Sequence, residues 1–148
     1  MKQDFEIRPW CIEHLNEYAK LYAAAFSCPP WNSHWTVENA AIHIQELMER
    51  RHSYGLECIK NHTVVGYLGA ASILLDFGRL YEINDVAVDP NMHRQGIGTA
   101  MVEQAVADLK QRGVGDISLI TFPTGHLPKF YEKCGFKKEN RLLMMHVN

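Results

Sequence analysis

The chain has 148 residues and a formal charge of −2, and 47% of its residues are hydrophobic while 22% are charged. This length suits one domain, residues 1–148, with a core of its own. The weak net charge excludes a general attraction to nucleic acid or to an anionic membrane, and no run approaches the roughly 20 apolar residues that a membrane span needs.

The four cysteines lie far apart and form no CxxC pair. We therefore expect reduced thiols and, with an N-terminus that lacks the apolar core of a signal peptide, a cytoplasmic protein. The eight histidines show neither an HExxH motif nor a Cys/His ligand spacing. No metal site is expected from this pattern.

The N-terminal part of the chain predicts one strand followed by two helices. Residues 4–8 could form a short strand, after which Pro9 suits the first position of a helix. Apolar residues at helical spacing extend that helix over about 9–26. Two prolines then interrupt regular structure, and Thr36 can cap a second helix that runs to about residue 51.

The hydrophobic period then changes from helical to strand-like. Three strands are predicted over 54–60, 63–75 and 79–88, the first two joined by an Asn61-His62 hairpin turn. After them come a helix, a strand and a short helix over 96–112, 116–122 and 127–134, and Gly113 ends the first of these helices. Strands in FKKE and LLMMHV would complete the chain. This order, β-α-α-β-β-β-α-β-α-β-β, predicts an α/β protein with a mixed, mostly antiparallel central sheet and helices on both faces.

The most informative stretch is VDPNMHRQGIGTAM, residues 88–101, where a strand ends in Asp89-Pro90 and a helix begins after two nearby glycines. Free backbone amides at a helix start bind anions, so this corner is a candidate phosphate site. A Walker A motif is excluded because no Lys-Ser/Thr follows a glycine pair. The dinucleotide fingerprint GxGxxG fits poorly because residue 101 is Met.

The run from strand through Asp-Pro to helix resembles the pyrophosphate loop of the GCN5-related N-acetyltransferase family. That loop reads (Gln/Arg)-x-x-Gly-x-(Gly/Ala), which here is HRQGIG, residues 93–98. FYEKCGF, residues 130–136, resembles the family's FYEKLGF, and PPWNSHWT resembles an acceptor-side loop of small bacterial members. Two positions depart from the pattern: His93 stands where the family has Gln or Arg, and Thr124 where it often has Asn.

The resemblance implies that acetyl-coenzyme A is the co-substrate and that no metal is used. Backbone amides at the start of helix 96–112 would hold its diphosphate, which the glycines let approach closely. Its pantetheine arm would lie between strands 79–88 and 116–122, which part in this family. The residues expected at the cofactor are Val86, Ala87, Val88, His93, Arg94, Gln95, Gly96, Ile97, Gly98, Thr99 and Thr124.

Acetyl transfer to an amine requires a base that deprotonates the ammonium and an acid that protonates the leaving thiolate. The resemblance places Tyr131 near the leaving sulfur as the acid, and a main-chain amide near Val86 would stabilise the oxyanion. Glu82 and Asp85 are the alternative bases, and a water relay is the third. In a regular strand these two carboxylates point to opposite faces, so only one would face the acceptor unless a bulge intervenes.

The acceptor stays open among a small amine, an aminoglycoside-like amine and a protein amino group. Aromatic rings in the loop after the first helix could hold a cation, or they could cover the core instead. The expected acceptor contacts are Trp31, Asn32, His34, Trp35, Tyr81 and Asn84.

These inferences predict an acetyl-CoA-dependent N-acetyltransferase that moves an acetyl group to a primary amine by direct attack in a ternary complex. The alternative is a non-catalytic acyl-CoA sensor or interaction module of the same fold. The LLMMHV strand could pair with a second copy to give a homodimer, or it could join the sheet of one monomer.

Overall fold

In a computed structural model that describes residues 4–148, five strands form one sheet in the order β1-β2-β3-β4-β5. The strands are β1 (Glu6–Pro9), β2 (Tyr54–Lys60), β3 (Thr63–Leu75), β4 (Gly78–Val88) and β5 (Asp116–Leu119). Neighbours from β1 to β4 pair antiparallel, whereas β4 and β5 pair parallel. The predicted mixed, mostly antiparallel sheet is confirmed.

Helices cover both faces of this sheet. They are α1 (Leu15–Phe26), α2 (Val37–Glu49), α3 (Ile97–Gln111) and α4 (Leu127–Lys133), with short 3-10 turns at Ile12–His14 and Pro90–Met92. Tyr67 and Leu68 are neighbours on β3, so their side chains point to opposite faces. Tyr67 is buried with residues of α1 and α2, and Leu68 is buried with residues of α3. The apolar stripes of the helices and the alternation along the strands thus build one core on each side.

Local signals in the sequence set several of the element boundaries. Thr36 Oγ1 accepts a hydrogen bond from Asn39 N at 3.0 Å and caps α2. Asn61 and His62 take positive φ angles of 51° and 62°, as a tight hairpin turn between β2 and β3 requires. Gly113, with a φ of 74°, follows the end of α3. These boundaries agree with the prediction.

Two predicted elements have different bounds in the structure. The first α-helix begins at Leu15 rather than Pro9, because Pro9 is the last residue of β1 and pairs with Leu56. β1 is an edge strand, where proline is tolerated because only one side of the strand needs hydrogen bonds. β5 ends at Leu119 instead of continuing to residue 122.

The two C-terminal strands predicted in FKKE and LLMMHV are wrong, since residues 136–148 form neither helix nor strand. Leu142, Leu143 and Met145 are 78%, 81% and 81% exposed. A strand is stable only with a hydrogen-bonding neighbour and a face to bury. Within the described chain this segment has neither. The predicted order of elements therefore holds only as far as α4.

No helix among residues 4–148 combines the length and the apolar character that crossing a membrane demands.

Candidate active site

The loop of residues 93–96 and the start of α3 form an exposed cradle of backbone groups. Gly96 precedes α3 with a φ of 79°, a conformation that favours glycine. A Cβ at Gly96 would meet no atom within 4 Å, so the space beside it is open. The first helical hydrogen bond runs from Ala100 N to Gly96 O at 2.9 Å. The amides before Ala100 therefore point out of the helix start, where an anion is favoured.

Basic side chains surround this cradle. His93 and Arg94 are exposed within the loop itself. Lys60, at the end of β2, donates from Nζ to Gln95 Oε1 at 2.6 Å. Sequence analysis missed Lys60 because it lies 35 residues before Gln95, and only the folding of β2 into the sheet brings the two together.

The second glycine of the loop has a different environment. A Cβ at Gly98 would lie 3.3 Å from Phe130 Cζ and 3.6 Å from Val88 Cγ2. The missing side chain at Gly98 therefore makes room for α4, rather than for an anion as the sequence suggested. Because α4 carries Tyr131, this close packing also positions the predicted acid.

Strands β4 and β5 part beside the cradle. Their pairing ends at Ile83 and Leu119, although β4 continues to Val88. Within the described chain, residues 84–88 thus present a free main-chain edge on the β5 side. Ile120 and Phe122, which follow β5, are 65% and 46% exposed. The predicted gap is therefore an unpaired strand edge with exposed apolar side chains at its mouth.

Tyr131 lies on α4 between two aromatic rings, with the Phe130 and Phe136 centroids 4.9 Å and 6.0 Å away. Its hydroxyl has no hydrogen-bond partner among residues 4–148, where every buried polar side-chain atom has one. The hydroxyl must therefore reach solvent. Burial of the ring raises the pKa of Tyr131 to about 12, so this group keeps a proton that it can donate at neutral pH.

A bulge in β4 sets the orientation of the two candidate carboxylates. Asp85 pairs with Gly69, and the next pair along the ladder is Ile83 with Ala70. Asn84 is therefore an extra residue on β4, and it breaks the alternation of side chains. As a result Glu82 and Asp85 point to the same face, the one that α1 and α2 cover.

Asp85 is the centre of a buried polar cluster. It is 4% exposed and accepts hydrogen bonds from Tyr22 Oη at 3.0 Å, Tyr67 Oη at 3.1 Å and His43 Nε2 at 2.9 Å. The Trp35 ring packs edge-on against Tyr22, at 5.1 Å, and its centroid lies 5.2 Å from the His43 ring. One carboxylate thus gathers groups from α1, α2 and β3.

Sequence analysis did not find His43, although a signal for it was present. His43 follows Ala40 by three residues and precedes Leu47 by four, and both of these are buried. This spacing places His43 on the face of α2 that packs against the sheet. A polar residue on such a face needs a partner, and Asp85 supplies it.

Charge and burial shift the protonation of this cluster. The hydrogen bond from Asp85 raises the pKa of His43, and burial opposes only part of that rise. Burial first and the Asp85 charge second raise the pKa of Tyr22 and of Tyr67. Both tyrosines therefore stay protonated and keep donating to Asp85.

A cavity of about 440 Å³ opens next to the cluster and is lined by Tyr22, His43, Glu46, Leu47, Arg50, Asn84 and Asp85. Glu82 is half-buried on the same face and accepts a hydrogen bond from Asn84 Nδ2 at 2.9 Å. A second cavity, of about 420 Å³, is lined by Glu132, Phe136, Lys137 and Lys138 and contains none of the predicted site residues. Among residues 4–148, no three His, Cys, Asp or Glu side chains cluster in a way that could hold a metal.

The structure brings only some of the predicted acceptor contacts to this cavity. Asn84 lines it and Trp35 packs against its walls, whereas Trp31 packs edge-on against Phe26 with centroids 4.9 Å apart. Tyr81 is 4% exposed in the core beneath α3, on the opposite face of the sheet. The remaining two contacts and one predicted cofactor contact are exposed in loops: Asn32, His34 and Thr124.

The sequence of residues 15–136 matches the Acetyltransferase (GNAT) family, and the chain belongs to that family. A histone acetyltransferase, TAP1 from Glycine max, is 32% identical over 96 residues, which make up 65% of this chain and 39% of that protein. The chain spans only 39%, 27% and 37% of the length of three curated plant relatives that it matches.

Solved structures share the fold along almost the whole chain. One is the aminoglycoside acetyltransferase meta-AAC0020, from an uncultured soil metagenomic sample, in complex with sisomicin. It has a TM-score of 0.76 and 19% identity, and the match covers 98% of this chain and 96% of that one. Another is the aminoglycoside N-acetyltransferase AAC(6')-Iy in complex with CoA, with a TM-score of 0.78, 14% identity and coverage of 99% and 97%.

Proposed function

We propose that this protein is an acetyl-CoA-dependent N-acetyltransferase that moves an acetyl group to a primary amine by direct attack in a ternary complex. One observation carries the proposal. The open backbone cradle at Gly96 lies at the end of β4, next to the free edge of residues 84–88. A diphosphate in the cradle would leave its thioester arm to extend along that edge, in a member of an acetyltransferase family.

The cradle and the strand edge would divide the binding of coenzyme A. Amides of residues 95–99 would donate to the diphosphate, and Lys60 and Arg94 would add positive charge nearby. The main chain of Val86 and Val88 would pair with the amide groups of the pantetheine arm as a further strand does.

The transfer itself would use Tyr131 and the main chain. As the amine nitrogen bonds to the thioester carbon, a main-chain amide at the edge of β4 near Val86 would donate to the developing oxyanion. The C–S bond then breaks, and Tyr131 would give its hydroxyl proton to the departing thiolate. The retained proton and free hydroxyl of Tyr131 support this role.

The acceptor would be a cationic amine. Glu46 and Asp85 line the cavity, and Glu82 lies on the same face of the sheet. The Trp35 ring could also hold a cation by its face. A small polyamine-like or aminosugar substrate and a protein amino group both satisfy this chemistry, and the similar proteins include an enzyme for each class.

Calorimetric titration of coenzyme A tests the cradle. Gly96→Glu places a negative charge beside the diphosphate and should weaken binding at least about tenfold, which corresponds to about 1.4 kcal/mol. Gly113→Glu is the matched control, because Gly113 also has a positive φ, of 74°, and also has no atom within 4 Å of a Cβ. Equal affinity in both variants would contradict the proposed site.

A thiol-release screen with acetyl-CoA across amine classes tests the reaction. We expect turnover with at least one primary amine. Tight binding of acetyl-CoA without transfer to any amine would favour the sensor instead of the enzyme.

A further inference from the structure

We propose that His43 accepts the proton of the incoming amine and that Asp85 holds His43 in place for this task. The inference rests on the proposed acetyl transfer and assigns its base to a residue on α2, rather than to either carboxylate of β4. Three features carry it: the accessible nitrogen of His43, the saturation of Asp85, and the charges that face the cavity.

His43 has one ring nitrogen that is bound and one that is free. Nε2 lies 2.9 Å from Asp85 Oδ2 and 3.3 Å from Tyr22 Oη. Nδ1 has no partner among residues 4–148, where no buried polar side-chain atom lacks one, so Nδ1 is open to solvent. With the ring proton on Nε2 and directed at Asp85, Nδ1 carries the lone pair and faces the cavity that His43 lines.

The two carboxylates are less suited to accept the proton. Asp85 already accepts three hydrogen bonds and is 4% exposed, so no ammonium can reach it without displacing a partner. Glu82 accepts from Asn84 and does not line the cavity. A buried carboxylate that orients an imidazole, whose other nitrogen faces the substrate, is an arrangement that supports general-base catalysis.

Groups from four elements face His43. Asp85 comes from β4, Tyr22 from α1 and Trp35 from the loop before α2, while Glu46 and Arg50 lie on α2 beside the cavity. Asp85 first and Glu46 to a lesser degree raise the pKa of His43 against the effect of burial. His43 therefore titrates above the usual imidazole value of 6.5, close to neutral pH. A base with such a pKa balances deprotonated population against proton affinity.

The proton balance of the step is complete. The substrate ammonium gives one proton to His43 Nδ1, and the resulting imidazolium keeps its Nε2–H bond to Asp85. The neutral amine then attacks the thioester carbon, the C–N bond forms and the C–S bond breaks. Tyr131 protonates the thiolate and regains a proton from the nitrogen of the intermediate through solvent. His43 releases its proton to water, so each turnover yields one amide, one thiol and one proton.

The variant His43→Gln tests this assignment, because the Gln amide can still donate to Asp85 but cannot act as a base. We expect kcat/KM at neutral pH to fall between about 10²-fold and 10⁴-fold, the usual contribution of a general base. The loss should shrink as the pH rises toward the pKa of the amine, because the free amine then needs no base. Affinity for coenzyme A should not change. His146→Gln, in the exposed C-terminal segment, is the control and should match the wild type.

The wild-type pH profile gives a second readout that does not depend on the folding of a variant. Its acidic limb in kcat/KM should report a group that titrates above 6.5. A profile without such a group would overturn the proposal. So would near-normal turnover of His43→Gln, in particular if Glu82→Gln lost activity instead. If the wild-type protein bound acetyl-CoA yet acetylated no amine, the proposed function itself would fail, and that result is distinct from the loss of His43 alone.

Discussion

The hydroxyl of Tyr67 occupies the space that a Cβ on Gly69 would need, at a distance of 2.5 Å. Leu47 Cδ2 lies 2.7 Å from the same point. The hydroxyl uses this room to donate to Asp85, the residue that pairs with Gly69 across the sheet. A missing side chain on β3 thus lets a buried tyrosine reach the carboxylate of β4.

Gly69→Ala should therefore destabilise the protein. The new methyl group displaces the Tyr67 hydroxyl and breaks its bond to Asp85, which we expect to lower the free energy of unfolding by about 1–3 kcal/mol. Urea unfolding measures the loss. Adding Tyr67→Phe in the same chain should recover part of it, because the clash disappears with the hydroxyl. Strictly additive losses would argue against this packing.

Tyr131→Phe separates the chemistry of Tyr131 from its packing. The ring contacts with Phe130 and Phe136 remain, while the proton donor is lost. We expect kcat to fall about 10²-fold or more, with unchanged coenzyme A affinity and thermal stability. Tyr54→Phe is a matched control: it removes the 2.6 Å bond to Asp108, so it should lower stability by about 1 kcal/mol without changing turnover. Normal turnover in Tyr131→Phe would remove Tyr131 from the mechanism.

A second buried carboxylate makes stability depend on pH. Glu57 is 1% exposed and accepts from Arg8 Nε at 2.8 Å, from His14 Nδ1 at 2.7 Å and from the hydroxyl of Tyr18. The bond to Glu57 raises the pKa of His14. Burial pushes the pKa of Glu57 up, but its bonds from His14, Tyr18 and Arg8 outweigh burial and lower the pKa.

The signs of these shifts define a pH window. A raised histidine pKa stabilises the fold fully below 6.5, the usual value, and this contribution is lost as the pH rises through the folded value. A lowered Glu57 pKa stabilises the fold above 4.5 and is lost as the pH falls. Both contributions coincide between these two values.

We expect His14→Gln to reduce the difference in urea midpoint between about pH 5.5 and about pH 8.5 relative to the wild type. The wild type should lose more stability on going to the higher pH, because only the wild type loses the charged His14. An unchanged difference in the variant would show that His14 and Glu57 are not coupled.

The exposed C-terminal segment predicts self-association. Leu142, Leu143, Met145 and Val147 are each at least 78% exposed in the single chain. An apolar extended segment of this kind favours pairing with a second copy. Sedimentation should show association that increases with protein concentration and that Leu143→Glu suppresses. His146→Glu adds the same charge at a neighbouring polar position and should leave association nearly intact. A wild-type monomer at all concentrations would contradict this prediction.

The sequence predicts best those features whose determinants are local. α2 and α3 follow from apolar residues at helical spacing and from their terminal residues Thr36 and Gly113. The cradle was also predictable, because its loop and the following helix start are consecutive in the chain. The C-terminal strands failed because strand propensity alone supplies neither a neighbour nor a face to bury.

The acceptor side depended on information that no local pattern contains. Tyr22, His43, Tyr67 and Asp85 come from four elements, and their meeting requires the register of β3 with β4. The bulge at Asn84 has no sequence signature, yet it alone turns Glu82 to the face that holds Asp85. Sequence analysis could therefore name the two carboxylates but could not foresee that one of them would be occupied by an imidazole.

The unpaired edge of β4 beyond Ile83 has a consequence for how the protein should be handled. Open strand edges recruit foreign extended chains, which is a common route to precipitation. A co-substrate that covers this edge would act as a guard as well as a reactant, and it would raise the melting temperature by mass action. Stocks kept with coenzyme A should stay clear on storage far longer than stocks dialysed free of it.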